Sequence, residues 1–314
     1  MMQNTAHLLM IQPADFGYNT ETAANNAFQK NIGGNLQQKA LQEFSDFVEL
    51  LRKNKVDVTV VEDSLHPATP DSIFPNNWIS FHADGRVFLY PMFAVNRRLE
   101  RKTAVLDLVK AEFLVTEIID LTQSENDGLF LEGTGSMVLD REHKIAYACL
   151  SPRTNEKLLH DFCKLVNYTP VTFRATDHTG VDIYHTNVMM CVAKTYAVVC
   201  LESVTDTAEK ENLLSALKQT NKKIVDISLQ QVNHFAGNML QVVNTDGVLM
   251  LIMSTQAFLT LTAAQIETLQ KQNRIIHSSL NIIESAGGGS ARCMIAEVFL
   301  NKKTPPFSEA ASNK

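Results

Sequence analysis

Three residues stand where covalent catalysis would need them: a cysteine at 293, a histidine at 185 and a glutamate at 132. Cys293 follows Gly287-Gly288-Gly289-Ser290-Ala291-Arg292. Glycines such as Gly289 let a backbone approach a ligand closely and offer free N–H groups, and a neighbouring arginine favours a thiolate. The same features also fit a turn before a buried strand. The other four thiols have a blander setting. Cys149, Cys191 and Cys200 lie inside apolar runs and Cys163 in a predicted helix, where a thiol acts as a small hydrophobe. A thiol nucleophile needs a proton acceptor and donor, and histidine is the commonest. His185 precedes a strand-like run, and Glu132 sits at the matching place in an earlier run. A carboxylate there would orient the imidazole and hold its charged form. An ordinary histidine and a solvated glutamate beside a glycine turn are the competing readings. His178 and His185 match no common metal-ligand spacing, so no metal is expected.

What must position these residues is a repeat. Five times a small or amide-bearing polar stretch leads into a short apolar run: FPNNWISFH (74–82), LEGTGSMVLD (131–140), YHTNVMMCVA (184–193), HFAGNMLQVV (234–243) and GGGSARCMIAEVFL (287–300). With Asn77, Gly135, Asn187, Asn238 and Arg292 as equivalent positions, the steps are 58, 52, 51 and 54 residues. Near-constant periods of this size point to repeat architecture. His185 and Cys293 fall at nearly the same repeat position, so a ring of repeats brings them together at its axis. Single asparagines are common in turns; their recurrence at one position is the stronger signal.

Strands are expected at 7–13, 56–61, 87–90, 145–150, 196–201 and 248–253, and helices at 38–54, 98–113, 154–166, 207–219 and 262–272. Leu41, Phe44, Phe47, Val48 and Leu51 mark one face of the first helix, and Thr207 and Thr262 are expected as N-caps. Each repeat therefore reads as a ββαβ unit, and the strand at 7–13 closes the ring beside the last repeat. Residues 1–303 form one domain on this reading, with a loose tail at 304–314.

The chain has 314 residues, with 45% hydrophobic and 20% charged, and a net charge of −6, which disfavours a general nucleic-acid partner. No apolar run is long enough to span a membrane, and the N-terminus lacks the pattern of a signal peptide. An odd number of cysteines without a C-x-x-C argues against a disulfide framework. A cytoplasmic protein with reduced thiols is expected, acting on a small molecule, with a homodimer possible and no cofactor, nucleic acid or membrane involved.

With these residues in place, the sequence resembles the guanidine-modifying enzymes, the superfamily of arginine deiminase, dimethylarginine dimethylaminohydrolase and the amidinotransferases. The resemblance covers about residues 7–300, and FPNNW, LEGTGS, HTNVMM and GGGSARCM look most like the citrulline-utilisation hydrolase branch. It implies the pentein fold, a single-domain α/β five-bladed propeller. It also implies Cys293 as nucleophile, His185 as proton carrier and Glu132 as the acid that orients it. Asn76 and Asn77 of FPNNW, and Asn187, fall at substrate-binding positions, with Asn77 and Asn187 where the superfamily carries aspartates. Arg97 of NRRLE and Arg153 of SPRTNE are implied partners of a substrate carboxylate, and Phe16 and Asn19 of QPADFGYN would line the pocket.

A guanidinium presents only donors and a positive charge, whereas a ureido group is neutral and carries one acceptor. Two aspartate-to-asparagine changes therefore favour citrulline, cleaved to ornithine, ammonia and carbon dioxide through a covalent Cys293 intermediate. Asp71 is a further acid able to supply charge to a guanidinium. Hydrolysis of arginine or methylarginine, amidino transfer to an amine, and a catalytically silent propeller are the competing expectations. The polar segment 62–73 is long enough to be a lid.

Overall fold

Four times along the chain a short strand turns back into a second, a helix follows, and a third strand lies parallel to the second. The computed structural model describes residues 2–303; the tail expected at 304–314 lies outside the described residues. Four of the five three-stranded sheets are contiguous in sequence. They are β3–β4–β5 (Ile79–Phe81, Arg86–Leu89, Glu117–Asp120) and β6–β7–β8 (Val138–Asp140, Ile145–Cys149, Thr169–Phe173). They continue with β9–β10–β11 (Met190–Val192, Tyr196–Val199, Lys223–Asp226) and β12–β13–β14 (Leu240–Val243, Leu249–Ser254, Arg274–Ser278). The fifth is built from both ends of the chain. β1 (His7–Gln12) lies between β2 (Asp57–Glu62), parallel to it, and β15 (Ala296–Glu297), antiparallel to it. Leu9 faces Thr59 on one side and Ala296 on the other, which sets the strand expected at 7–13 beside the last repeat. β15 touches β3, and β9 touches both β6 and β12, so first strands of neighbouring sheets lie side by side.

The middle strands are buried on both faces. Tyr196–Val199 is buried throughout and Leu249–Ser254 in all but its first residue, which is why they read as continuous apolar runs. The crossover helices cover the sheets. In the helix Leu36–Lys53, Ala40, Phe44, Phe47, Val48 and Leu51 are buried, while Leu41 is only half-buried. Asn35 caps this helix by accepting the Gln38 N–H. The expected cap at Thr262 is a full capping box with Gln265. The expected cap at Thr207 is instead Asp206, whose carboxylate accepts the Glu209 N–H and leaves Thr207 as the first helical residue. The helix expected at 98–113 is a 3-10 turn, Asn96–Glu100, followed by Thr103–Glu112. Arg97 is drawn into the interior by Glu100 at that turn, which interrupts the regular helix.

Candidate active site

Each first strand is entered through a tight turn, and these turns converge. Residues 75–77, 133–136 and 186–189 form such turns before β3, β6 and β9. Asn238 stands just before β12 and Cys293 just before β15. Cys293 is buried, and Asn238 Nδ2 donates to its Sγ at 3.2 Å and Asn187 Nδ2 at 3.6 Å. Two amide donors on one sulfur suit a thiolate. Asn238 is fixed in turn, because its Nδ2 also donates to Asn187 O at 2.9 Å and its Oδ1 accepts Arg292 N–H at 3.0 Å. The other thiols have no such setting: burial pushes Cys149, Cys163 and Cys191 up to about 12 and Cys200 up to about 11.

His185 and Glu132 meet as expected, with Nε2 and Oε2 2.8 Å apart. The second carboxylate oxygen accepts Phe93 N–H at 2.9 Å, and Arg153 Nη1 lies 3.6 Å from Oε2. Burial opposes the Glu132 charge, but Arg153 and the His185 hydrogen bond outweigh it and hold the carboxyl down to about 2. Burial also lowers His185 to about 4, against the pull of Glu132. At neutral pH the pair is thus a carboxylate and a neutral imidazole. Nε2–H donates to Glu132, and Nδ1 is left as a proton acceptor. That atom stands over Gly135. A Cβ built there would come within 2.7 Å of His185 Nδ1 and 2.4 Å of Asn77 Nδ2, so only glycine fits between the two.

Cys293 and His185 border a narrow cleft whose lining also includes Asp71, Asn77, Arg97 and Arg153. Arg97 is committed inside the protein. It pairs with Glu100 through Nε at 2.8 Å and Nη2 at 2.9 Å, and donates to Asn77 Oδ1 from Nη1 at 2.8 Å. Arg153 donates to Thr22 O at 2.9 Å and to Asn25 Oδ1, with its guanidinium 5.0 Å from the Tyr184 ring centre. Glu100 and Glu132 therefore each have an arginine. Asp71 only shares one: its Oδ2 accepts from Asn19 Nδ2 at 2.7 Å and Thr22 Oγ1 at 3.0 Å, and Arg97 Nε, already hydrogen-bonded to Glu100, is 3.9 Å away. Its Oδ1 has no hydrogen-bond partner among the described residues, and burial raises its pKa.

Asn187 lies behind the sulfur, lining a separate small cavity with Arg292 and Glu297 rather than the cleft. Asn76 is fully buried, with neither amide atom partnered among the described residues, and is not part of the cleft lining. Phe16 packs beneath the glycine loop: a Cβ on Gly287 would meet its ring at 3.1 Å. Gly289 lines the cleft against the Phe74 ring. Asp71 was legible only as a reserve acid, and Thr22, Asn26 and Tyr184 carried no signal in the sequence. The segment 62–73 does not form the cover; it supplies the cleft wall through Asp71. The cover is residues 19–30. Asn26 Nδ2 donates to Gly288 O at 3.2 Å, Gln29 Nε2 to Ala286 O at 3.3 Å and Lys30 N–H to Ser285 O at 2.7 Å.

Among the described residues, no group of three or more His, Cys, Asp and Glu is placed to hold a metal ion, and no helix is long and apolar enough to cross a membrane. No curated protein matches the sequence. Among solved structures, the apo form of ArgZ, an arginine dihydrolase from the ornithine–ammonia cycle in cyanobacteria, has a TM-score of 0.74 at 19% identity over 96% of this chain and 41% of that one. The chain thus spans about two fifths of that protein's length. It covers 99% of the ArgZ N-terminal domain bound to substrate, with 94% of this chain matched, a TM-score of 0.72 and 19% identity. A dimethylarginine dimethylaminohydrolase adduct with 4-chloro-2-hydroxymethylpyridine has a TM-score of 0.65 at 13% identity over 94% of this chain and 99% of that one. These likenesses show a shared mixed α/β fold; they do not single out the citrulline-utilisation branch. The family model for N,N dimethylarginine dimethylhydrolase, eukaryotic, matches residues 12–300, and the chain belongs to that family, within the pentein superfamily.

Proposed function

We propose that the protein is a Cys293-dependent hydrolase of the C–N bond of an arginine-type guanidino amino acid. The observation that carries this reading is Asp71. It is a buried carboxylate on the cleft wall, its nearest arginine, Arg97, is held by Glu100 and stands 3.9 Å off, and one of its oxygens has no hydrogen-bond partner among the described residues. A guanidino amino acid brings one net positive charge that would balance it, and citrulline brings none. Charge-assisted hydrogen bonds of this kind contribute about 1.5–3 kcal/mol each. The names of ArgZ and of dimethylarginine dimethylaminohydrolase support the same substrate class. The position of Asn187 behind the nucleophile removes half of the case for a ureido substrate. The five like sheets, with β15 on β1 and first strands adjacent, support closure as a five-bladed propeller with the cleft at its axis.

On this reading His185 and Cys293, which line the same cleft, divide the chemistry between them. His185 Nδ1 takes the Cys293 thiol proton, and the thiolate adds to the guanidino carbon. The proton returns to the leaving nitrogen, which departs as ammonia or an amine and leaves the carbon on sulfur. Water gives a proton to Nδ1 and its oxygen to that carbon, the C–S bond breaks, and the proton goes back to sulfur. The product is a ureido amino acid. Glu132 holds His185 in the tautomer these transfers need.

A second round on that product is supported by Asn77. Its Oδ1 is taken by Arg97, while its buried Nδ2 has no partner among the described residues. A donor facing the cleft suits a ureido oxygen, and a guanidinium has no acceptor to offer it. The test is ammonia release from arginine, dimethylarginine and citrulline, with Cys293→Ala as control. Release from a guanidino substrate, abolished in the variant, is the expected result, and two ammonia per arginine would establish the second round. Release from citrulline alone would overturn the substrate class, and release by the variant would overturn the nucleophile.

A further inference from the structure

The loop that carries Cys293 is held from behind by a buried acid that the mechanism does not use. Glu284 lies in a single π-turn, Ile283–Gly287, that runs directly into Gly288-Gly289-Ser290. Its Oε1 accepts the Ser290 hydroxyl at 2.6 Å, and Ser290 O accepts the N–H of Cys293 at 2.9 Å and of Met294 at 3.3 Å. Its own carbonyl accepts Gly288 N–H at 3.1 Å. One residue thus grips both ends of the glycine loop, and only Ser290 stands between its carboxylate and the backbone of the nucleophile.

We propose that Glu284 is a positioning residue for Cys293, acting through Ser290, and that loss of its charge misaligns the thiol. This rests on Cys293 being the nucleophile. The ionised carboxylate accepts from both sides, since Gln256 Nε2 donates to Oε2 at 3.1 Å opposite Ser290. Once protonated it becomes a donor on one oxygen and a weaker, uncharged acceptor, so the Ser290 hydroxyl must turn round to accept or the charge-assisted bonds to Ser290 and Gln256 weaken. Burial, reinforced by the nearby Glu43, raises Glu284 to about 7 despite hydrogen bonds from Ser254, Ser290 and Gln256. Glu43, on the helix Leu36–Lys53, is turned to the N–H groups of Ile282 and Ile283. Lys30 and His234 border the same cavity as Glu284, and His277 is stacked on Phe258. Glu284 is therefore the carboxylate in contact with the nucleophile loop whose charge changes near neutral pH.

The test compares kcat against pH for the full chain, Glu284→Gln, Ser290→Ala and the double variant, with site-resolved alkylation of Cys293 by iodoacetamide measured alongside. Wild type is expected to lose kcat as pH falls through about 7. Glu284→Gln should show a kcat lowered roughly tenfold, KM within about twofold, and no limb near 7. The double variant should be no worse than the worse single one, because both act on one link. The Cys293 alkylation rate should follow the same limb and lose it in Glu284→Gln; that readout needs no substrate, so it stands even where turnover of arginine fails. A limb near 7 that persists in Glu284→Gln, or fully multiplicative losses in the double variant, would overturn the proposal. Cys293→Ala that retains turnover would instead overturn the nucleophile.

Discussion

Asp71 is the residue on which substrate choice turns, and its effect on stability runs against its effect on binding. Burial raises its pKa in the folded protein above the ordinary aspartate value. From that ordinary value upward the folded state holds more proton than the unfolded one, so this group costs stability as pH rises through its folded pKa. Asp71→Asn is therefore expected to raise the unfolding midpoint at neutral pH, with the gain shrinking towards pH 4. The same change should raise KM for arginine by roughly ten- to a hundredfold, from the loss of one charge-assisted contact. Thermal unfolding at several pH values and steady-state kinetics check both; an unchanged KM would remove Asp71 from substrate recognition. Cys293, His185 and Glu132 were legible because they fall at one repeat position, and the structure brings His185 to the cleft that Cys293 borders, with Glu132 buried behind it and bonded to its Nε2. Arg97 and Arg153 entered only through the resemblance, as implied partners of a substrate carboxylate. Their surroundings depend on a local pair, Arg97–Glu100, and on contacts with Asn77, Glu132 and Asn25 that are 20 or more residues away in the chain and leave no periodic mark.

At the scale of the element, the turns that enter the first strands matter most. Gly135 sits where two functional side chains cross, so its missing Cβ is a requirement of the site rather than of the turn, and its φ is not left-handed. Gly135→Ala is expected to push Asn77 and His185 apart and to lower kcat roughly a hundredfold, with cooperative unfolding retained. Kinetics with far-UV circular dichroism would show it, and activity within threefold of wild type would mean the two side chains are not a working pair. The middle strands were readable because both faces are buried, as in Tyr196–Val199. The third strands Glu117–Asp120 and Lys223–Asp226 begin and end in exposed residues, so their short mixed sequences carry neither a clean apolar run nor strict alternation. The 19–30 cover escaped the sequence reading for a similar reason. It is polar and nearly without regular structure, and its order comes from asparagine and glutamine side chains bonded to distant carbonyls.

The whole molecule follows from a repeat of just over fifty residues whose last unit borrows β1 and β2 from the start of the chain. That pairing places the nucleophile, close to the end of the described chain, against turns from the earlier repeats, and no single repeat contains a complete site. The central claim is a covalent bond between Cys293 and the carbon of a guanidino amino acid. Its most direct test is the intact mass of the protein acid-quenched during turnover of saturating arginine, with the adduct mapped by peptide sequencing. The expected result is a gain equal to arginine less one ammonia, confined to the peptide that contains Cys293. An adduct on another residue, or steady turnover by the Cys293→Ala variant in the same experiment, would contradict it.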